Sequence, residues 1–260
     1  MKKSIQIIAT ALVMLFGNAA LGQNDTMYVM KNGVVISEQS VNPSDVDSII
    51  FYRPNTSSVE YGEGATDIDG NTYQSVIIGN QEWMAENLKT TKYSDGTAIP
   101  KVTGNTQWSD LSTGAWCYYD NDSSQYEELN YGKLYNFYAV ETDKLCPTGW
   151  HVPTDGEWTV LTDYLATSGH TEAEGTALTA TSGWDYDGNG TNNYGWLGLP
   201  GGNRALYGDF YDVGYNGYWW SSSKSNTYDA WYSSLSYKND IVYRSRYDKY
   251  YGFSVRCLKD

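Results

Sequence analysis

Short apolar runs alternate with glycine-rich turns along most of this chain, and this alternation limits the possible folds more than any other feature. From residue 65 to residue 260, runs rich in β-branched and aromatic residues are separated by Gly, Asn and Asp. Such spacing is typical of short strands in antiparallel sheets. After Trp184 no helical period is visible. Strands are therefore predicted at 218–222, 230–237, 241–244 and 252–258.

A few segments do carry a helical pattern. Thr154 and Glu157 have the spacing of a capping box, and apolar residues follow at helical intervals, which predicts a helix beginning there. The apolar spacing within 131–140 predicts a second helix, and 171–180 a third, shorter one. The chain is thus expected to have an α+β fold with short twisted antiparallel sheets, two to three helices and much irregular loop.

The first residues resemble a targeting signal. Lys2 and Lys3 precede an apolar run over 5–16, and small residues follow. This pattern predicts a secretory signal peptide over 1–22, too short for a stable membrane span. The alternative is an N-terminal anchor. No later stretch is apolar for long enough to cross a bilayer, so the mature chain is not expected to span one. The signal peptide predicts an exported protein, whether periplasmic, at the cell surface or secreted.

The rest of the chain divides into unequal parts. Asn32-Gly33 between two apolar runs is a strong hairpin signal, and a third strand follows, which together predict a small β unit over 23–54. About 30 residues bury little apolar surface alone. The unit is therefore expected to pack on the main domain or on a neighbouring protein. Small polar residues predict a linker over 55–64, and the main domain is expected over 65–260.

Charge and composition exclude several function classes. With 31 acidic against 17 basic residues and a net charge of −14, the chain repels phosphates, so nucleic acid is not an expected partner. Three Cys and two His are too few and too scattered for a zinc or iron–sulfur site. The sequence contains no phosphate-binding loop, nucleophile elbow or metalloprotease motif. His151, beside the capped helix, is interpreted as structural, and we expect no enzymatic activity.

Six motifs, in order, carry a family resemblance. They are Gln81-Glu-Trp-Met-Ala-Glu-Asn-Leu88, Tyr131-Gly-Lys-Leu-Tyr135, Cys146-Pro-Thr-Gly-Trp-His-Val-Pro-Thr154, Leu199-Pro-Gly-Gly202 with Arg204, Tyr218-Trp-Trp-Ser-Ser-Ser223, and Gly252-Phe-Ser-Val-Arg-Cys257. Together they resemble the Fibrobacter succinogenes major paralogous domain, abundant in exported proteins of the Bacteroidetes. That family is similar to the C-type-lectin-like fold shared with formylglycine-generating enzyme domains. The resemblance implies this fold and export from the cytoplasm, and it implies no reaction.

The cysteines allow two interpretations. If the C-terminal strand returns beside the segment that precedes the capped helix, Cys146 and Cys257 can form a disulfide. Such a bond closes a long loop and stabilises the fold by about 4–5 kcal/mol in the chain-entropy model. The alternative is that all three cysteines, including Cys117, are reduced and buried.

Calcium is the one metal that the sequence suggests. Asp185, Asp187 and Asn189 place oxygens at alternate positions of a glycine-relaxed loop, as hard cations require. The loop departs from the EF-hand pattern, and the alternative is a solvated turn. No other cofactor is expected.

Tyrosine is concentrated near the C-terminus. Residues 207–251 hold 11 of the 25 Tyr, interspersed with Ser, Asn and Asp. This composition is typical of paratopes, since Tyr offers rigid contact area and small polar residues adapt the hydrogen bonding. We expect a core of Trp219, Trp231, Leu235, Phe253 and Val255. The residues predicted to face outward and bind a ligand are Tyr211, Tyr215, Tyr228, Tyr232, Tyr243, Tyr247, Tyr250 and Tyr251.

These observations favour a non-catalytic binding module for an extracellular glycan or protein. The alternatives are a degenerate relative of the formylglycine-generating enzymes and a structural subunit of a surface assembly. The resemblance adds one expectation, because C-type-lectin-like proteins are frequent targets of diversity-generating retroelements, which leave Tyr, Ser, Asn and Asp at mutated positions. The alternative is a Tyr-rich surface fixed by ordinary selection. Ligand identity and oligomeric state do not follow from the sequence.

Overall fold

The computed structural model describes residues 28–31, 34–36, 48–50, 59–124 and 129–260. The chain divides into two compact units, Met1–Thr56 and Ser57–Asp260. The predicted signal peptide 1–22 lies outside the described residues. In the first unit, three strands form an antiparallel sheet in the order β2-β1-β3, and the strands are β1 (Tyr28–Lys31), β2 (Val34–Ile36) and β3 (Ser48–Ile50).

The second unit is built mostly of strands. They are β4 (Ala65–Thr66), β5 (Thr72–Tyr73), β6 (Ser75–Ile78), β7 (Gln81–Met84), β8 (Trp116–Cys117), β9 (Leu134–Asn136), β10 (Trp150–His151), β11 (Gly201–Arg204), β12 (Phe210–Val213), β13 (Asn216–Lys224), β14 (Asp229–Ser236), β15 (Asn239–Asp248), β16 (Gly252–Phe253) and β17 (Leu258–Lys259). The helices are α1 (Asn105–Ser109), α2 (Phe137–Val140), α3 (Asp155–Leu165) and α4 (Glu174–Leu178). A 3₁₀ turn spans Tyr119–Asn121, and a π-helical turn spans Ala166–His170.

The strands of the second unit form three sheets. The largest has the order β15-β14-β13-β11-β16-β9-β8, and β12 pairs with β11. A four-stranded sheet runs β10-β17-β7-β6, and β4 pairs with β5. The pairing is antiparallel except between β11 and β13. The α+β architecture with short antiparallel sheets that the sequence predicted is therefore confirmed.

The described part of the predicted linker, 59–64, lies along β6. The backbone N–H of Ile77 donates to the carbonyl of Glu60 at 2.7 Å, and the N–H of Gly62 donates to the carbonyl of Ser75 at 3.0 Å. These residues therefore extend the edge of the β6–β7 hairpin. Residues 55–58 lie outside the described part of the chain.

The helix predicted at Thr154 is confirmed. The Thr154 hydroxyl accepts from the backbone N–H of Glu157, and the Glu157 carboxylate accepts from the N–H of Thr154. This reciprocal cap satisfies donors that a helix end otherwise leaves unpaired. The third predicted helix, over 171–180, is present in shorter form as α4.

The helix predicted over 131–140 is wrong for most of its length. Residues 134–136 form β9, which pairs with β8 and β16, and only the last turn is helical. The Asn136 side chain accepts from the N–H of Ala139, and so the strand ends and α2 begins at this residue. The backbone groups of 134–136 form hydrogen bonds with β8 and β16 instead of with their own segment. These pairings favour a strand, although the spacing of the apolar residues favours a helix.

Two apolar cores flank the sheet formed by β13, β14 and β15. One contains Trp220, Tyr232 and Phe253, together with Cys146 and Cys257. The other contains the tryptophans Trp83, Trp158, Trp196 and Trp219, whose rings touch in series. Among the residues described, no helix has the length and apolar character to cross a membrane.

Candidate functional site

One face of the sheet formed by β13, β14 and β15 carries a row of tyrosines. Tyr218 of β13 and Tyr243 of β15 both lie opposite Ser234 of β14. Tyr247 lies opposite Ala230, four residues further along each strand. Since side chains alternate between the faces of a strand, all five residues share one face. This face covers the core that contains Phe253.

Phe253 is fully buried, and four tyrosine rings surround it. The ring centroids lie 5.1 Å from Tyr218, 5.2 Å from Tyr232, 5.7 Å from Tyr251 and 6.0 Å from Tyr247. Tyr247 in turn stacks on both Tyr232 and Tyr251. Stacked and edge-to-face rings gain attraction beyond the area that they bury. Phe253 therefore serves as a platform that fixes the surrounding tyrosines.

The outer rings of this group reach solvent. Tyr211 and Tyr243 are each 53% exposed, and Tyr247 is 41% exposed. Tyr211, on β12, lies close enough to Tyr251 to help raise its pKa. We call this surface the tyrosine face. It consists of Tyr218, Tyr232, Tyr247 and Tyr251, whose rings surround Phe253, together with Tyr243 on the same face of the sheet and Tyr211 near Tyr251.

Three phenols of the tyrosine face, those of Tyr218, Tyr232 and Tyr251, have a raised pKa. Burial raises the pKa of Tyr218, and a hydrogen bond from its hydroxyl to Asp212 Oδ2 at 2.7 Å raises it further. Burial, with the nearby Tyr247, raises the pKa of Tyr232 to about 12. The pKa of Tyr251 is also raised, first by burial and then by Tyr247. The face therefore offers apolar ring surface, neutral hydroxyls and one carboxylate at neutral pH.

The prediction that Tyr232 faces outward and Trp231 lies in the core is wrong. Tyr232 is buried in the middle of the tyrosine face, whereas Trp231 is half-buried on the opposite side of β14, beneath the Arg244 guanidinium at 4.6 Å. The alternation along β14 was predicted correctly, but both sides of this strand are covered. The larger size of Trp231 therefore did not show which side of β14 is more deeply buried.

Of the other predicted binding residues, Tyr211, Tyr243, Tyr247 and Tyr251 come together, and three lie elsewhere. Tyr215 stacks on Tyr186, in a cluster completed by Tyr237. Tyr250 packs edge-on against Tyr138. Tyr228 is 74% exposed in the loop before β14.

Sequence reasoning missed Tyr218 as a member of the site. Its ring stacks on Phe253 and its hydroxyl reaches Asp212. The signal was present, because alternation along 216–220 sets Tyr218 and Trp220 on the face opposite Trp219. The proximity of Tyr211 to Tyr251 had no such signal, since it brings β12 near the segment after β15.

The Fibrobacter succinogenes major domain matches residues 76–259, a span that begins in β6 and ends in β17. The chain belongs to this family. The match includes every residue of the tyrosine face and confirms the resemblance seen in the six motifs. No curated protein and no solved structure matches the chain. The expected likeness to the C-type-lectin-like fold therefore stays a prediction.

The cysteines of this Fibrobacter-type domain are divided between a bond and a buried thiol. A disulfide joins Cys146 to Cys257, with their Cα atoms 6.0 Å apart, so the first of the two interpretations is the one observed. Cys117 is free and fully buried. Burial raises its pKa to about 12, and the thiol is therefore un-ionised at neutral pH.

His151 connects two carboxylates of the domain. Its Nδ1 lies 2.7 Å from Asp260 Oδ1, and its Nε2 lies 3.0 Å from Glu157 Oε1. Burial lowers the pKa of His151, but the two carboxylates outweigh this effect and the pKa is raised. Because Glu157 also caps α3, His151 holds the helix start beside the end of the described chain.

The predicted calcium residues Asp185, Asp187 and Asn189 lie in an exposed loop. The side-chain oxygen of Asn189 accepts from the backbone N–H of Trp184 at 3.1 Å, which is the role expected of a solvated turn. Across 59–124 and 129–260, no group of three or more His, Cys, Asp or Glu is placed to hold a metal ion. Calcium binding stays a prediction that a calorimetric titration can test.

Proposed function

We propose that this domain is a non-catalytic binding module of an exported protein and that the tyrosine face is its binding surface. The observation that carries the proposal is the gathering of four tyrosine rings around one buried Phe253, with the exposed Tyr211 and Tyr243 near them. Tyrosines held rigidly lose little conformational entropy when a ligand binds. Their exposed edges supply both apolar area and hydrogen-bonding hydroxyls.

Two further features support a binding role over catalysis. A catalytic thiol needs to ionise, and the free Cys117 is buried with a raised pKa. Both nitrogens of His151 are engaged by carboxylates, so neither is left to act as a base on a ligand. The disulfide supports the proposal that the protein is exported, since such bonds persist in oxidising compartments.

We also propose that 207–251 is a diversified region of this domain. Tyr211, Tyr243 and Tyr247 are exposed, and the Tyr247 ring stacks on the buried Tyr232, an arrangement in which the outer residues can vary without loss of the fold. A near-identical template repeat and a reverse-transcriptase gene beside this gene are expected. If both are absent, the diversification proposal fails and the binding proposal stands.

A binding screen tests the tyrosine face directly. The wild-type domain, the Y243A/Y247A double variant and a Y186A control would be applied to a glycan array and to an array of extracellular proteins. Tyr186 is the matched control, because it is 75% exposed and lies outside the tyrosine face. Any ligand retained by the wild type should be lost with Y243A/Y247A and kept with Y186A. Equal retention by both variants, or no retention by the wild type, contradicts the proposal.

A further inference from the structure

A cleft lies between α3 and the strands β14 and β15, and we call it the α3–β15 cleft. Its walls are residues of α3, of the segment 171–174 that leads into α4, and of the two strands. Its volume is about 340 Å³. Small-molecule sites in proteins measure about 300–1,000 Å³, so the cleft has room for a small ligand.

Ser233, which lines this cleft, carries a buried hydroxyl without a partner. It lies opposite Arg244 and two residues after Trp231, so its side chain is on the side of the sheet away from the tyrosine face. The residue is 2% exposed, and within 59–124 and 129–260 its hydroxyl forms no hydrogen bond. Buried polar groups normally have a partner, so this hydroxyl is placed to bond to a ligand atom.

The charge of the cleft is negative. Glu172 and Glu174 both line it, and neither carboxylate forms an ion pair with any residue in the described part of the chain. Arg244 lines it as well, but its guanidinium donates two hydrogen bonds to the Asp155 carboxylate, which balances its charge. Two carboxylates of the cleft are therefore left without a counter-charge.

Another cleft of the domain shows how its carboxylates differ from these. It measures about 250 Å³, and Glu63 and Glu86 line it. Glu63 pairs with Lys259, and Glu86 pairs with Lys89. Among the described residues, none that lines the α3–β15 cleft is a lysine. A cation that neutralises Glu172 and Glu174 thus has to come from a ligand.

The hydroxyls of the α3–β15 cleft add acceptors rather than donors. The side chains of Thr159, Thr162 and Thr171 each donate to a backbone carbonyl, at 3.0–3.2 Å. Their oxygens keep lone pairs that can still accept. The Glu174 carboxylate accepts from the backbone N–H of Glu172 at 3.2 Å, and ionised carboxylates offer acceptors alone. The cleft is therefore rich in acceptors and poor in donors.

We propose that the α3–β15 cleft binds a small organic ammonium ion, a primary amine on a short carbon skeleton. An ammonium group has three donors and no acceptor, which matches both the charge and the hydrogen-bonding groups of the cleft. Ile241 and Val242 supply apolar surface for the carbon skeleton. A neutral polyol brings acceptors that find few donors here, and an anion is repelled by Glu172 and Glu174. The site is separate from the tyrosine face, so the inference goes beyond the proposed function and does not depend on it.

NMR titration of the isotope-labelled whole chain tests this inference. Butylammonium, 1-butanol and butyrate are similar in size and differ in charge, and glucosamine with glucose forms a second pair. At least one ammonium probe should bind tenfold more tightly than its neutral counterpart and shift the amide signals of 171–174 and 241–244. Butylammonium as the tighter probe identifies an aliphatic amine, and glucosamine an amino sugar. If 1-butanol or butyrate binds as tightly as butylammonium, or if neither ammonium probe has a dissociation constant below about 10 mM, the inference is overturned.

Isosteric variants separate a local effect from the net charge of the chain. E172Q and E174Q each remove one carboxylate from the cleft and keep its shape. E60Q is the matched control, because Glu60 is exposed, lies outside the cleft and forms no ion pair with the residues described. Each cleft variant should weaken ammonium binding at least threefold, with E60Q unchanged. An equal loss with E60Q, or no loss with E172Q and E174Q, overturns the inference.

S233A tests the buried hydroxyl by two measurements. Because this hydroxyl has no partner in the chain to lose, S233A should melt at or above the temperature of the wild type. It should nevertheless weaken ammonium binding at least twofold, and unchanged binding overturns the inference. Y243A/Y247A, on the other side of the sheet, should bind the ammonium probe as the wild type does. A loss of binding in that variant places the probe on the tyrosine face and also overturns the inference.

Discussion

At the scale of single residues, His151 lies between two carboxylates. Both ring nitrogens face carboxylates, from Glu157 at the start of α3 and from Asp260. The protonated ring donates to both, and its pKa is raised in the folded state. Burial raises the pKa of Glu157, but its hydrogen bonds to Thr154 and His151 outweigh this effect and the pKa is lowered.

The stability of the domain should therefore depend on the protonation of His151. A folded-state pKa above the unfolded value of about 6.5 gives stability that is complete below that value and is lost as pH rises through the folded pKa. H151Q should melt below the wild type at about pH 5.5, with a difference that narrows at about pH 8.5. The effect should be about 1 kcal/mol or less, since the side chain is 35% exposed.

A proton NMR titration of the His151 ring gives an independent measurement. Its pKa should lie above the unfolded value, and D260N should lower it by removing one of the two negative charges beside the ring. A melting difference that is the same at both pH values would show that His151 acts by packing alone.

At the scale of elements, the domain shows which sequence signals are local. The capping box at Thr154 predicted α3 correctly, because its hydrogen bonds lie within four residues. The apolar period over 131–140 failed, because β9 is set by pairing with β8 and β16, and β16 comes more than 100 residues later. The period-2 pattern of β14 was detected, but both of its faces are covered, and so the pattern did not identify Tyr232 as the buried residue.

The platform under the tyrosine face is a prediction at the same scale. Phe253 is fully buried against four tyrosines and lies 4.4 Å from the Trp220 ring. F253A should lower the free energy of unfolding by about 3–5 kcal/mol, because it leaves a cavity in the core. F253L, which conserves more volume, should cost about 1 kcal/mol. Chemical denaturation of both variants measures the difference.

The control for this prediction is F210A. Phe210 is a half-buried residue of β12, so its loss should destabilise the domain less than F253A. An F253A protein that unfolds at the same denaturant concentration as the wild type would show that the surrounding rings do not depend on Phe253.

At the scale of the whole molecule, the site depends on contacts between distant segments. Ordered motifs along the sequence predicted the family, and composition predicted that tyrosines near the C-terminus matter. Neither predicted which tyrosines meet. Tyr211 joins the face through β12, and Tyr250, next to Tyr251 in sequence, packs on Tyr138 instead. Such placement follows from strand register across a whole sheet, which local pattern does not determine.

The disulfide also acts on the whole molecule, because one of its cysteines precedes the residues of the tyrosine face in the sequence and the other follows them. Cys146 and Cys257 are 111 residues apart, and Cys257 lies just before β17, which pairs with both β10 and β7. Closing a loop of this length restricts the unfolded chain and should stabilise the fold by about 4–5 kcal/mol. The C146A/C257A variant should lose about that much free energy of unfolding in guanidinium denaturation, and reductant should destabilise the wild type to a similar extent.

C117A is the control. Because the Cys117 thiol takes no part in the disulfide, the C117A variant should be as sensitive to reductant as the wild type. Recovery of residues 146 and 257 as free thiols in non-reducing peptide mapping would contradict the disulfide itself. Equal stability with and without reductant would show that the stabilisation from loop closure is offset by strain or by residual structure in the unfolded chain.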